Sequence, residues 1–238
     1  MTRRKRERVA HCDLRNKRVG DRHLDAPRVC GHAVERRACG GRLRFPLKDG
    51  GADTVRRELL ASQICRCFDV PQVLYEPGEY GGEPISRSGI VTSLDRSIVP
   101  MRAFEVRCIN EDLDYLEEVK KLDEKAYYGM NILDYLTGNT ARHMENWGLW
   151  VDTTTNAPIS LHPLMDFNQC FGAYDTIDGA NCLTVGNRRL SQRQAAIEAV
   201  RAIGLPQIRE VALSVFEDHT EEAEMFCKRL AELKRFVG

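Results

Sequence analysis

Two side chains in this 238-residue sequence, Asn146 and Asp166, are well suited to chemistry with phosphates. They lie in the segment Asp134–Phe171, which reads DYLTGNTARHMENWGLWVDTTTNAPISLHPLMDFNQCF. An amide oxygen and a carboxylate are the hard oxygen ligands that magnesium prefers, and phosphate oxygens commonly complete its shell. Arg142 and His143 flank the pair in the sequence. The composition of this segment therefore predicts a magnesium ion held together with a phosphorylated ligand.

A predicted β-hairpin explains how residues twenty positions apart can meet. Two apolar stretches, Trp147–Val151 and Ile159–Met165, flank a turn-rich stretch, and this pattern indicates two paired strands. Asn146 lies five residues before Val151, and Asp166 lies five residues after Leu161. We therefore expect Asn146 and Asp166 at the same open end of the hairpin. An Asn after a catalytic loop and an Asp after the next hairpin hold metal in kinases.

The strings GNTARHMENWG and PLMDFN resemble the catalytic segment of HipA-like kinases, whose pattern is N-x-D-R-H-x-x-N followed by D-F/S. The resemblance extends from about Leu43 to Phe171. It implies an ATP-binding fold with Mg²⁺, in which Asn146 and Asp166 are the metal ligands and His143 is a structural loop residue that buttresses the site. It also implies a protein substrate with an acceptor hydroxyl, or an antitoxin-like partner.

Two further residues receive roles from the resemblance. Lys48, in PLKDGG, corresponds to the strand lysine that contacts the ATP phosphates. Glu58, in RRELLAS, corresponds to the helix glutamate that can pair with that lysine. A strand lysine and a glutamate in the following helix can face each other across a short turn, so the spacing allows this pair.

Ala141 departs from the pattern where the family has its catalytic aspartate. That aspartate orients the substrate hydroxyl or accepts its proton, and alanine can do neither. We therefore expect a kinase fold that binds ATP and magnesium but is weakened or inactive in phosphotransfer. The sequence before Lys48 also contains no GxGxxG motif that could cover the nucleotide.

The spacing of apolar and capping residues predicts an α+β, protein-kinase-like fold. A short strand over 42–48 precedes a helix capped by Asp53 or Thr54, and two more strands, 73–75 and 90–93, surround a glycine-rich turn. Helices follow over 111–122, 125–136, 191–203 and 220–236. We interpret residues 1–40 as a basic, poorly ordered arm, 41–105 as a reduced N-lobe-like region and 106–238 as a mostly helical, catalytic-lobe-like domain.

Charge is distributed unevenly although the totals balance at 35 Lys and Arg against 35 Asp and Glu. Residues 1–48 hold 15 basic and 5 acidic residues. Such a stretch is typical either of a poorly ordered leader or of an arm that binds nucleic acid. The alternative to a kinase is thus a DNA-associated regulatory protein without catalysis. A truncated gene product that folds poorly is a third interpretation.

The cysteines and the apolar runs constrain where the protein works. Nine cysteines form no CxxC pair, which argues against a disulfide scaffold or a zinc ribbon and favours a reducing, cytoplasmic location. No apolar run approaches the roughly 18 residues of a membrane-spanning helix, and residues 1–8 lack the apolar core of a signal peptide. We therefore expect no membrane partner.

Overall fold

The structure is a computed structural model that describes residues 10–11, 34–40, 43–49, 51–89, 91–140, 142–172, 190–205 and 213–237. Its internal contacts divide the chain into two compact units. The first unit comprises Met1–Arg56 and Leu74–Ile90, and the second comprises Arg57–Val73 and Val91–Gly238. The boundaries predicted after residues 40 and 105 stay predictions.

The first unit contains a five-stranded sheet. Its strands are β1 (Ala10–His11), β2 (Val34–Gly40), β3 (Leu43–Asp49), β4 (Tyr75–Tyr80) and β5 (Glu83–Ser88), in the spatial order β1-β2-β3-β5-β4. The strand predicted over 42–48 is confirmed as β3 and pairs antiparallel with both β2 and β5. Residues 34–40, which the sequence assigns to the basic arm, form β2.

The β4–β5 hairpin differs from the strands predicted around the glycine-rich turn. Gly81 and Gly82, both at positive φ, form the turn, and Tyr80 pairs directly with Glu83. The strands therefore run right up to the glycines, and residues 91–93 are not in a strand. Of the strand predicted over 73–75, only Tyr75 lies in β4, and the strand predicted over 90–93 was wrong for residues 91–93, while residue 90 lies outside the described residues. The predicted turn began at Gly78, whereas Pro77 and Gly78 lie within β4. Here backbone pairing outweighs the low strand propensity of these residues.

The second unit contains a three-stranded antiparallel sheet in the order β6-β7-β8, formed by β6 (Arg96–Pro100), β7 (Gly148–Asp152) and β8 (Pro158–Leu161). The predicted hairpin is confirmed as β7 and β8, with Leu149 opposite Leu161. Gly148 allows β6 to approach closely, because a Cβ there would lie 2.2 Å from the carbonyl oxygen of Val99. Strand β6 was not predicted from the sequence, since it is only five residues long and ends at Pro100.

Five α-helices complete the described structure: α1 (Ala52–Cys65), α2 (Met101–Asn110), α3 (Tyr115–Thr137), α4 (Gln192–Ile203) and α5 (Thr220–Leu233). A 3₁₀ turn, Lys234–Phe236, extends α5. The Ser191 cap predicted for α4 is confirmed, since Ser191 and Gln194 form a reciprocal capping box. No helix in the described ranges is both long and apolar enough to span a membrane.

The two helices predicted over 111–122 and 125–136 are one element, α3, with a break at Asp123. Asp123 has non-helical dihedral angles (φ −156°, ψ 67°), and its carboxylate accepts hydrogen bonds from the backbone N–H groups of Ala126 and Leu161 at 3.3 and 3.2 Å. The same side chain therefore caps the second half of α3 and ties that half to β8. The helix begins at Tyr115 rather than at residue 111 and is capped by Asp114.

The second half of α3 is the centre of the second unit. It packs against α4, α5 and β8, and its side chains are buried on every side. A helix that is apolar all round belongs in the interior of a protein. The fully buried members are Tyr127, Met130, Ile132, Leu133, Tyr135 and Leu136. The end of this helix is therefore a rigid base for the loop that follows it.

Candidate functional site

A buried ion pair joins the end of α3 to the loop that follows. Arg142 donates from Nε to Asp134 Oδ2 at 2.9 Å and from Nη2 to Asp134 Oδ1 at 3.0 Å. The two side chains are only 4% and 6% exposed. Burial by itself lowers the pKa of Arg142, but the adjacent Asp134 carboxylate reverses this and raises it, so the guanidinium stays charged. Two parallel bonds fix its orientation as well as its position.

The third nitrogen of the same guanidinium joins the two predicted metal-binding segments. Arg142 Nη1 donates to the carbonyl oxygen of Asn146 at 2.8 Å and to that of Met165 at 2.6 Å. Met165 directly precedes Asp166. The backbones at Asn146 and Asp166 are therefore held next to one another at the open end of the β7–β8 hairpin, as the sequence predicts. The sequence identifies Arg142 only as a flanking residue.

Asn139 adds a second connection that was not predicted from the sequence. Its Nδ2 donates to Asp134 Oδ1 at 3.0 Å and approaches the carbonyl oxygen of Asp166 at 3.4 Å. Its own N–H donates to the Asp134 carbonyl at 2.8 Å. Asn139 is fully buried. Asp134 therefore holds the side chains of both Asn139 and Arg142. These two side chains in turn contact the backbone carbonyls of Asp166, Asn146 and Met165.

Asp166 itself lies in a left-handed backbone conformation at φ 63°. Aspartate adopts this region more readily than most residues, and non-glycine residues found there often mark functional sites. The next side chain, Phe167, is completely buried, and the Arg142 guanidinium carbon lies 5.6 Å from its ring centre. Phe167 therefore anchors the segment in the core, whereas the adjacent Asp166 is partly exposed.

Glu58 on α1 contacts the same segment. Its Oε1 accepts a hydrogen bond from the Phe167 N–H at 3.3 Å, and the side chain is 1% exposed. The structure therefore places Glu58 beside the residue that follows Asp166. Its pairing with Lys48 stays a prediction. Lys48 lies in β3, opposite Glu35 and Ser86, as predicted for a strand lysine.

The turn before Asn146 contains His143, whose side chain is exposed. Its Nδ1 accepts from the Glu145 N–H at 3.2 Å, and its carbonyl accepts from the Asn146 N–H at 2.8 Å. These contacts shape the turn locally, whereas Arg142 holds the loop against α3. Asn146 is buried, and the adjacent Trp147 is 1% exposed. Ala141, the position of the expected aspartate, lies outside the described residues.

The donor set at this site fits a magnesium ion that is shared with phosphates. In the part of the chain that the structure describes, no group of three or more His, Cys, Asp or Glu side chains could hold a metal. Asn146 and Asp166 offer one amide and one carboxylate. Magnesium is usually bound by one or two such side chains, with substrate phosphates and water as the other ligands.

Comparison with solved structures identifies the fold. The chain is similar to the Helicobacter pylori proinflammatory kinase CtkA, with a TM-score of 0.65 over 85% of this chain and 90% of that chain, at 13% sequence identity. It is also similar to HipA of Shewanella oneidensis MR-1, solved with HipB and operator DNA, with a TM-score of 0.49 over 91% of this chain and 61% of that chain, at 12% identity. No protein-family model and no curated protein sequence matches the chain.

The similarity to CtkA covers most of both chains, and it agrees with the arrangement of elements described above. Both units contribute to the matched length, because 85% of the chain is more than the second unit alone contains. The α+β class and the order of loop, hairpin and following Asp are those of the predicted fold. The chain therefore has a kinase-like fold similar to that of CtkA.

Proposed function

We propose that the protein binds ATP together with Mg²⁺ and that Asn146 and Asp166 are the protein ligands of the metal. The observation that carries this proposal is the contact of Arg142 Nη1 with the carbonyl oxygens of Asn146 and Met165. A buried arginine whose other two donors are held by Asp134 keeps these two segments at a constant separation. Such preorganisation reduces the cost of ordering the ligands when the metal binds.

Lys48 and Glu58 have the supporting roles in this proposal. Lys48 would contact the ATP phosphates, and Glu58 would orient that lysine. The bound magnesium would supply positive charge that neutralises the phosphates. The hydrogen bond from Phe167 N–H to Glu58 supports the proposal, because it ties α1 to the segment that contains Asp166.

Phosphotransfer is the step that we expect to be weak. Ala141 offers no carboxylate to orient an acceptor hydroxyl, whereas binding of ATP and magnesium needs no such group. We therefore propose a nucleotide-binding kinase fold with little or no transfer activity. Its acceptor or partner would be another protein, either a substrate with a hydroxyl group or an antitoxin-like protein.

Thermal unfolding with ATP tests the binding proposal. At a ligand concentration 100-fold above Kd, binding adds about 2.7 kcal/mol of stability, and a chain of this size then melts about 5–10 °C higher. We expect this shift only when ATP and Mg²⁺ are both present. We expect Asp166→Ala to abolish it, because the variant removes the carboxylate from the proposed pair of metal ligands.

Asp95→Ala is the matched control, since it removes an exposed carboxylate before β6. This variant should keep the full shift. The proposal is contradicted if the wild-type protein melts cooperatively at the same temperature with and without Mg·ATP. Cooperative melting of Asp95→Ala under the same conditions shows that the assay can detect a shift. An equal shift in wild type and Asp166→Ala contradicts the metal assignment.

The basic stretch favours a second proposal, that the protein binds nucleic acid through its N-terminal residues. Five of the 15 basic residues in the first 48 positions lie between Arg3 and Arg8. Replacing these five by Gln removes their charge and leaves β1 and β2 unchanged. If they neutralise phosphates, the dependence of log K on log salt should flatten by about 0.9 for each phosphate that is no longer neutralised.

Fluorescence anisotropy with a labelled DNA duplex at several salt concentrations measures this slope. The control replaces Arg102, Arg107 and Lys121, which are exposed helix residues that form ion pairs with nearby glutamates. If the salt slope is identical for wild type and the five-residue variant, the five basic residues do not neutralise phosphates. The proposal that the N-terminal residues bind nucleic acid then fails.

A further inference from the structure

The loop between α3 and β7, residues 138–146, also contacts the C-terminal helices. Gln192, in the first turn of α4, donates from Nε2 to the carbonyl oxygen of Asn139. Gln192 is 7% exposed, so this bond is shielded from water. The side chain of the same Asn139 contacts Asp134 and the carbonyl of Asp166. A side chain of α4 therefore contacts Asn139 directly, and Asn139 belongs to the hydrogen-bond network around the candidate metal site.

Arg229 on α5 reaches the start of the same loop. Its Nη1 donates to the carbonyl oxygen of Tyr135 at 2.8 Å, and its guanidinium carbon lies 5.5 Å from the centre of the Tyr135 ring. The Gly138 N–H also donates to that carbonyl, at 3.2 Å. Gly138 adopts φ 61°, and a Cβ at this position would lie 2.5 Å from Arg229 Nη1. Arg229 therefore packs directly against the glycine that ends α3.

Burial of Arg229 is costly for the fold. The side chain is 3% exposed, burial lowers its pKa, and among the described residues no acceptor reaches its Nε. A buried charge with incomplete hydrogen bonding contributes less stability than an apolar side chain of similar size. Packing alone therefore does not explain why an arginine occupies this position. Its bond to the Tyr135 carbonyl and its contact with Gly138 do explain it, because they fix where the loop begins.

We infer that Arg229 and Gln192 are positioning residues that hold the 138–146 loop from α5 and α4, and so place Asn146 for metal binding. This inference rests on the proposed function for its link to metal, but the loop geometry can be tested without ATP. Arg229 acts at the start of the loop and Gln192 acts at Asn139. Removing either side chain loosens the loop while Asp134 and Arg142 remain in place.

The test compares Arg229→Met and Gln192→Leu with Arg201→Met. Arg201 is an exposed arginine on α4 that stacks on Phe236 at 5.3 Å, so its replacement matches the change in charge and length. Hydrogen exchange of the Asn139 and Asn146 amides measures loop opening. We expect exchange to accelerate about 10- to 150-fold in Arg229→Met and roughly two- to tenfold in Gln192→Leu, which are the factors for removing a charged and a neutral hydrogen bond. Arg201→Met should leave both amides unchanged.

The dependence of ATP binding on Mg²⁺ concentration is a second measurement. It would not change if Arg229 served only to stabilise the fold. Well below the melting temperature, the Mg²⁺ concentration for half-maximal ATP binding should rise in Arg229→Met by the factor by which the fraction of molecules with a closed loop falls. As in wild type, ATP without Mg²⁺ should give no thermal shift. We expect the melting temperature of Arg229→Met to be equal to or higher than that of wild type, because a partly satisfied buried charge is removed.

The outcomes separate this inference from the proposed function. If wild type binds Mg·ATP but amide exchange in both loop variants equals that of Arg201→Met, the positioning role is overturned and the proposed function stands. If wild type binds no Mg·ATP, the proposed function fails and the exchange rates still decide the positioning role. If Arg229→Met does not melt cooperatively, Gln192→Leu decides the inference by the same exchange measurement.

Discussion

Replacing Ala141 by aspartate is expected to raise the rate of phosphotransfer by about 10²–10⁴-fold, the range contributed by a positioned general base. We expect the rest of the site to be unchanged in this variant, because Asp134 holds Asn139 on one side of position 141 and Arg142 on the other. The measurement is transfer of the labelled γ-phosphate from ATP to the protein itself and to a generic Ser/Thr substrate. ATP affinity should stay within a few-fold of wild type.

Two further variants show whether the gain comes from a base. Ala141→Asn has nearly the same shape as Ala141→Asp but accepts no proton, so its rate should remain near that of wild type. The double variant Ala141→Asp with Asp166→Ala should be inactive because it lacks a metal ligand. The account of a missing base is wrong if Ala141→Asp binds Mg·ATP normally and still transfers no phosphate.

Replacing Arg142 by alanine should cost about 3–5 kcal/mol of stability, because it leaves the Asp134 carboxylate buried without a partner. It also removes the bonds to Asn146 and Met165, so Mg-dependent ATP binding should disappear in whatever fraction remains folded. Urea unfolding followed by tryptophan fluorescence measures the first effect. Calorimetric titration with Mg·ATP at low temperature and without urea measures the second.

An exposed ion pair provides the control. Arg102→Ala breaks the pair between Arg102 and Glu105 on α2, whose side chains are 60% and 23% exposed, and such pairs contribute about 1 kcal/mol or less. The double variant Asp134→Leu with Arg142→Met should recover much of the stability without recovering ATP binding. Recovery of both would mean that the guanidinium does not position the metal ligands.

The parts of this protein that the sequence predicts well depend on local patterns. The alternation of apolar segments around a polar turn predicts β7 and β8, and the open end of that hairpin brings the segments of Asn146 and Asp166 together. Ser191 predicts the start of α4 because an N-cap residue contacts only the first turn of its own helix, here Gln194 three positions on. The HipA-like pattern in the loop predicts the kinase fold.

The parts that were not predicted from the sequence depend on distant partners. Asp134 lies within the apolar run NILDYLT, and an acid in such a run signals a buried partner, but the sequence does not say that the partner is Arg142. Asn139 and Gln192 are common polar residues whose meeting requires α4 to pack on α3. Lys48 as a phosphate contact and Ala141 as the missing base stay predictions.

The bonds that support the loop also have a consequence for synthesis of the chain. Asn139 and its partner on α4 are 53 residues apart in sequence, and Tyr135 and its partner on α5 are 94 residues apart. A ribosome adds about 5–20 residues per second, so the loop emerges about 5–20 s before α5 exists. Until Gln192 has been added, only contacts within the segment itself, such as the Asp134–Arg142 pair, can order the loop. A nascent chain halted before residue 229 would therefore display the hairpin with its loop lacking the support of α5.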